Sequence, residues 1–166
     1  MQDAKRGAKI KGSMENDNFF MQMALAEAQK ARALGEIPIG AVVVRGGQVV
    51  GKGYNCNETN KDPSCHAEIL AIKEACKALG GWRLPGCTLY VTVEPCSMCA
   101  GAIVLARIER LVIGTDNPKA GACGSLYNIV EDERLNHRVS VTRGVLKDEC
   151  SSMLKDFFAM LRNNKE

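Results

Sequence analysis

Residues 88–114 read TLYVTVEPCSMCAGAIVLARIERLVIG, a run in which a strand pattern, a helix pattern and a second strand pattern follow one another. Residues 88–93 are rich in β-branched side chains, which favour a strand. Pro95 stands where a helix can begin, so we expect a helix at 97–107 and the next strand at 110–114. Two strands joined by a crossover helix lie parallel in one sheet. This segment therefore predicts the centre of an α/β fold.

The remainder of the chain supplies the other strands and helices of that fold. Two Val-rich stretches flank Gly46-Gly47, a two-residue turn typical of a β-hairpin. Apolar residues at helical spacing predict further helices. We expect strands at 39–45, 48–54 and 139–145, and helices at 18–34, 66–79 and 146–161. The predicted fold class is an α/β three-layer sandwich, in which helices flank a central mixed five-stranded sheet.

The charge of the chain is unevenly distributed. Residues 1–13 carry the whole formal net charge of +3, and residues 14–166 contain equal numbers of basic and acidic side chains. We interpret 1–13 as a disordered leader or a remnant of cloning, and 14–166 as a single domain, which suits the length of 166 residues. A strongly basic domain would favour a nucleic-acid partner. This balanced one neither favours nor excludes it.

Eight cysteines raise the question of disulfides, which we do not expect. No charged segment followed by an apolar one opens the chain, so no export signal is visible. In a reducing compartment cysteines are usually thiols, metal ligands or small buried hydrophobes. The longest apolar stretches are also too short to span a bilayer. We therefore expect a cytoplasmic protein.

Two short segments carry the residues for chemistry. His66 and Glu68 lie at the start of a predicted helix, and Cys96 and Cys99 lie where a strand gives way to a helix. One imidazole and two thiolates suit zinc, and a helix N-terminus favours thiolates. Three protein ligands leave the fourth position open for water, whose pKa zinc lowers to about 7. We predict one Zn²⁺ per chain, bound by His66, Cys96 and Cys99, with Glu68 as the catalytic residue that moves protons.

Other interpretations of these segments compete with the catalytic one. Cys-x-x-Cys at the start of a helix is also typical of thioredoxin-like redox proteins, but the His-Ala-Glu segment has no role there. A structural zinc needs a fourth ligand, which Cys65, Cys87 or Cys123 could supply. Glu68 alone could be an ordinary first-turn charge facing the helix dipole. Its place beside a ligand histidine favours catalysis.

The motif His66-Ala67-Glu68, followed by Pro95-Cys96-Ser97-Met98-Cys99, resembles the signature of zinc deaminases. The surrounding residues resemble one branch of them, the bacterial tRNA adenosine deaminases. The resemblance extends from about residue 19 to residue 162. Its segments are 37–41, 53–55, 62–63, 89–96, 98–102, 121–126, 136–138 and 156–158.

The resemblance implies a cytidine-deaminase-like fold and a homodimer. It also implies hydrolysis of adenosine to inosine at the wobble position of tRNA, A34. The substrate would be the anticodon stem-loop of tRNA arginine. The resemblance further implies that the Asn55 amide holds the target nucleoside and that the Ala67 N–H faces the base edge. Asn117 and Lys119 would lie in the loop that approaches the RNA. Two alternatives stay open. One is a deaminase of a free base or nucleotide (guanine, cytosine or deoxycytidylate), and the other is a zinc-stabilised RNA-binding module without catalysis.

Overall fold

The computed structural model describes the backbone of residues 2–165 and the side chains of residues 16–165. Ten elements follow one another along the chain. They are α1 (Gln2–Ala33), β1 (Gly40–Arg45), β2 (Gln48–Tyr54), α2 (Asn57–Asn60), α3 (Ala67–Leu79), β3 (Cys87–Val93), α4 (Ser97–Leu105), β4 (Arg110–Thr115), β5 (Ser140–Arg143) and α5 (Lys147–Asn163). Among these residues no helix combines the length and the apolar character needed to cross a bilayer.

The five strands form one mixed sheet in the order β2-β1-β3-β4-β5. Strand β1 is antiparallel to both β2 and β3, whereas β3, β4 and β5 run parallel to one another. The α/β sandwich with a mixed five-stranded sheet is therefore confirmed. The parallel β3–β4 pair, joined through α4, also confirms the crossover expected from residues 88–114.

Alternate residues of the central strands point into two separate cores, as the period of two in a β-strand requires. On β3, Leu89 and Val91 pack with α3 and α4 on one face of the sheet. Tyr90 points to the opposite face, where it packs with α1 and with Cys150 of α5. The sheet thus lies between two helical layers.

Helix α3 packs so closely on strand β2 that no side chain fits between them. A Cβ atom at Gly53 would collide with the backbone carbonyl oxygen of Ala67 and would lie 2.6 Å from the Ala71 nitrogen. Because Ala67 is the first residue of α3, this contact fixes where the helix begins relative to the sheet.

Several predicted boundaries shift. The first helix begins at Gln2 and not at residue 18, because Asn18 can lie inside a helix and residues 14–17 contain no Gly or Pro. Helix α4 ends at Leu105 because Arg107 adopts a left-handed backbone with φ of 60°. The proposed leader at 1–13 falls on the first turns of α1, whose side chains lie outside the described residues. The division between 1–13 and 14–166 stays a prediction.

Candidate active site

The three predicted metal ligands come from the starts of two helices. His66 directly precedes α3 and Cys96 directly precedes α4, and both have extended backbones. Cys99 lies in the first turn of α4. The extended backbones at His66 and Cys96 let their side chains reach past the helix ends, so that the three ligand atoms lie within 4.8 Å of one another.

The spacing of these atoms fits a single metal ion. The Nδ1 atom of His66 lies 3.5 Å from Cys96 Sγ and 3.4 Å from Cys99 Sγ. An ion with bonds of about 2.3 Å to sulfur and about 2.0 Å to nitrogen, at tetrahedral angles, separates N and S by about 3.5 Å. Among the side chains of residues 16–165, no fourth His, Cys, Asp or Glu joins this group. The set is therefore the three-ligand type that leaves a position for water or substrate.

The two thiols and the imidazole also change one another's ionisation. A hydrogen bond with Cys99, helped by one with His66, lowers the pKa of Cys96 to about 3 against the opposing effect of burial. The bond with Cys96 raises the pKa of Cys99 and that of His66. These opposite shifts in pKa favour the thiolate form of Cys96 and the thiol form of Cys99. A divalent cation between the sulfurs favours thiolate on both.

Glu68 lies beside this group as the second residue of α3. Only 4% of it is exposed, and this burial raises its pKa to about 7, although the neighbouring His66 and Cys99 act in the opposite direction. A carboxyl group with a pKa near neutrality can both accept and return a proton at physiological pH. The environment of Glu68 therefore suits proton transfer.

A pocket of about 480 Å³ opens onto these side chains. It brings together five of the eight predicted site residues, and aromatic side chains of α5 close one side of it. Ala67 is buried in the core, and Lys119 lies outside the pocket in a neighbouring groove. Cys99 is buried and is not part of the lining. The lining includes Asn55, His66, Glu68, Cys96, Asn117, Phe157 and Phe158.

Comparisons with known proteins identify the family of the chain. A family model described as MafB19-like deaminase matches residues 15–162. The tRNA-specific adenosine deaminase of Bacillus subtilis is 51% identical over 92% of this chain and 95% of its own length. The chain belongs to the family of tRNA-specific adenosine deaminases. The Haemophilus influenzae member is 46% identical over 96% of this chain and 91% of its own length. A solved tRNA:A34 deaminase is 44% identical, with a TM-score of 0.79 over 82% of this chain and 99% of that one.

One buried carboxylate of this deaminase was not singled out by sequence reasoning. Glu94 directly precedes the Pro95-Cys96 turn, and its side chain is fully buried. Burial alone would raise its pKa, but hydrogen bonds from Asn117, Ser125 and Cys123 outweigh burial and lower it. The only sequence signal was an acidic residue at the end of a strand that is otherwise apolar.

A second and larger groove, of about 770 Å³, lies next to the pocket. The loop after β4 and helix α5 form its two sides. Phe158 and Leu161 line both cavities and form part of the apolar floor of the groove. Its lining carries more basic than acidic side chains, with Asp116 as the acidic one. The basic members are Lys119, Lys155, Arg162 and Lys165.

Proposed function

We propose that this chain is a zinc-dependent deaminase that hydrolyses adenosine to inosine at the wobble position, A34, of tRNA. The observation that carries the proposal is the three-ligand group of His66, Cys96 and Cys99 with buried Glu68 beside it in one pocket. The relatives named above support the choice of an adenosine in tRNA as substrate.

His66, Cys96 and Cys99 would hold one zinc ion, whose chemistry when bound is to lower the pKa of water at its open position to about 7. Glu68 accepts a proton from the water that adds to C6 of the adenine ring. It delivers this proton to the ring nitrogen N1, then takes the proton of the hydroxyl now on C6 and delivers it to the exocyclic amine. The C6–N bond breaks, ammonia leaves, and the oxygen of the water stays on C6, which yields the base of inosine.

The target nucleoside is held by groups around the pocket. Asn55 is 7% exposed and lines the pocket, where its amide can hydrogen-bond the nucleoside. Ala67 is the first residue of α3, where backbone N–H groups have no partner within the helix. We assign this N–H to the edge of the base. Asn117 also lines the pocket, and we assign it a contact with the RNA.

The basic groove supports an RNA substrate. Four basic side chains, Lys119 among them, lie beside the pocket and can contact the phosphates that flank the target nucleotide. An unpaired anticodon loop is a favourable target, because its bases leave the stack at little cost. We assign the substrate to the anticodon stem-loop of tRNA arginine.

We further propose a homodimer and a cytoplasmic location. Large apolar side chains are exposed on α4 and in the loop after β4, and a second copy of the chain would cover them. The location follows from the tRNA substrate and agrees with eight free thiols. The exposed apolar side chains are Met98, Leu105, Leu126, Tyr127 and Leu135.

The test is a rate comparison with the zinc-loaded full chain. The arginine anticodon stem-loop carrying A34 is compared with a stem-loop carrying G34 and with free adenosine, cytidine and guanine, and ammonia and inosine are measured. We expect product only from the A34 stem-loop. Deamination of guanine but not RNA would favour the free-base alternative. Tight RNA binding with no product from any substrate would favour a binding module without catalysis.

A further inference from the structure

The carboxylate of Glu94 accepts a cluster of hydrogen bonds from the loop that follows β4. It accepts backbone N–H bonds from Asn117 at 3.0 Å, from Cys123 at 3.1 Å and from Ser125 at 2.9 Å. The hydroxyl of Ser125 donates a further bond. All these donors lie at positions 116–125, which we call the 116–125 loop.

Further contacts tie this loop to the strand that leads to the metal ligands. The backbone N–H of Glu94 donates to the carbonyl of Thr115, the residue of β4 that directly precedes the loop, at 2.9 Å. Within the loop, the N–H of Ala122 donates to the carbonyl of Pro95 at 2.9 Å. Arg143 on β5 lies 3.4 Å from a carboxylate oxygen of Glu94. The loop thus surrounds one buried anion, which the backbone N–H groups of the loop and the Arg143 guanidinium stabilise.

The loop passes so close to this carboxylate that a side chain is excluded at Gly121. A Cβ atom there would lie 2.5 Å from Glu94 Cδ, 2.6 Å from Glu94 Oε2 and 2.5 Å from the carbonyl oxygen of Asn117. The backbone of the loop at Gly121 is therefore in direct contact with the Glu94 carboxylate.

The cluster joins two parts of the proposed active site. Glu94 stands two residues before the ligand Cys96, and its partner Asn117 lines the pocket with His66 and Glu68. Lys119, in the same loop, lines the basic groove. Glu94 also borders the pocket, but its side chain is fully buried and both of its carboxylate oxygens accept hydrogen bonds from the loop, so we infer that it acts on substrate through the loop.

We propose that Glu94 is a positioning residue, which holds the 116–125 loop so that Asn117 and Lys119 meet the RNA beside the metal ligands. This inference rests on the proposed function for the identity of the substrate. The anchoring of the loop by the carboxylate does not depend on it.

The test is Glu94→Gln, which keeps the shape of the side chain but turns an NH₂ donor towards backbone N–H groups that can only donate. We expect KM for the A34 stem-loop to rise about tenfold, the change that corresponds to about 1.4 kcal/mol of lost binding. The zinc content should stay at one per chain, and kcat should stay within about threefold, a factor equivalent to under 1 kcal/mol.

The matched control is Asp17→Asn. Asp17 is another buried carboxylate, and it accepts bonds from Arg110 at the start of β4 and from Tyr90, away from the 116–125 loop. This variant should lower the stability of the fold and leave KM unchanged. If Glu94→Gln does not fold, Ser125→Ala serves instead. It removes one donor, keeps the carboxylate, and should raise KM by a smaller factor.

A second readout, amide hydrogen exchange, needs no activity. In Glu94→Gln, exchange should accelerate at the amides of Asn117, Cys123 and Ser125, and in Asp17→Asn it should not. Unchanged exchange at these amides, or an unchanged KM, would overturn the inference. So would a fall in kcat together with loss of zinc at constant KM. If the wild-type chain deaminates no RNA, the proposed function fails, while the exchange experiment still decides whether Glu94 anchors the loop.

Discussion

The burial of Glu68 predicts that Glu68→Gln abolishes activity and yet stabilises the metal-free protein. The pKa of Glu68 is about 7 in the fold, against an ordinary value of 4.5. At about 1.4 kcal/mol per pKa unit, ionisation of the buried carboxyl lowers the free energy of unfolding by about 3 kcal/mol. Glutamine has no such group to ionise. We therefore expect the variant to be more stable than the wild type by up to about 3 kcal/mol in the presence of a chelator at pH 8.

The difference in unfolding free energy between Glu68→Gln and the wild type should depend on pH. Below pH 4.5 the carboxyl is protonated in both the folded and the unfolded wild type, so the two proteins should differ little. Between pH 4.5 and about 7 the unfolded carboxyl ionises first, so the wild type loses stability relative to the variant. Above about pH 7 the difference is constant.

Urea unfolding of both proteins at pH 4 and pH 8, with chelator, measures this difference, and turnover with zinc should fall by about 10²- to 10⁴-fold. The matched control is Glu149→Gln, because Glu149 is also a first-turn acid but is exposed. It should change stability by less than about 0.5 kcal/mol at either pH. A Glu68→Gln variant that is less stable than the wild type at pH 8, or whose advantage is the same at pH 4, would refute the reasoning.

Three further predictions concern the metal, the packing and the RNA. Cys96→Ser should lose zinc and activity together, because two protein ligands hold the ion too weakly, and full occupancy by metal analysis would contradict the ligand assignment. Gly53→Ala should lower the free energy of unfolding by about 1–3 kcal/mol, since the new methyl group displaces the start of α3, and wild-type stability in urea would speak against that packing. Lys155→Ala should raise KM for the stem-loop and reduce the slope of log KM against log salt by about one, whereas Lys61→Ala, outside the groove, should leave both unchanged.

The parts of the fold that the sequence predicts well are those whose signals are local. Residues 88–114 carry alternating and apolar strands on either side of Pro95, and nothing in the tertiary structure conflicts with these preferences. The spacings of His66 to Glu68 and of Cys96 to Cys99 are local too. Because each pair sits at a helix start, the chemistry could be proposed before the two helices were known to meet.

The features that could not be predicted from the sequence depend on contacts between residues that are far apart along the chain. Glu94 receives its hydrogen bonds from residues 23 to 49 positions away, and no periodicity reveals such a cluster. The predicted start of α1 was wrong because Asn18, although a preferred helix cap, lies inside the helix here at only a small cost in helix propensity. Asn117 and Lys119 are two residues apart but face different cavities, which only the path of the loop around Glu94 determines.

The most direct test of the proposed deamination is to identify the base at position 34 after the reaction. The zinc-loaded chain is incubated with the arginine anticodon stem-loop, and the base at position 34 is identified by sequencing and by nucleoside chromatography. We expect inosine at position 34 and at no other adenosine, with one ammonia released per inosine and no product from Glu68→Ala. Unchanged adenosine at position 34, or equal conversion by Glu68→Ala, would contradict the proposed deamination.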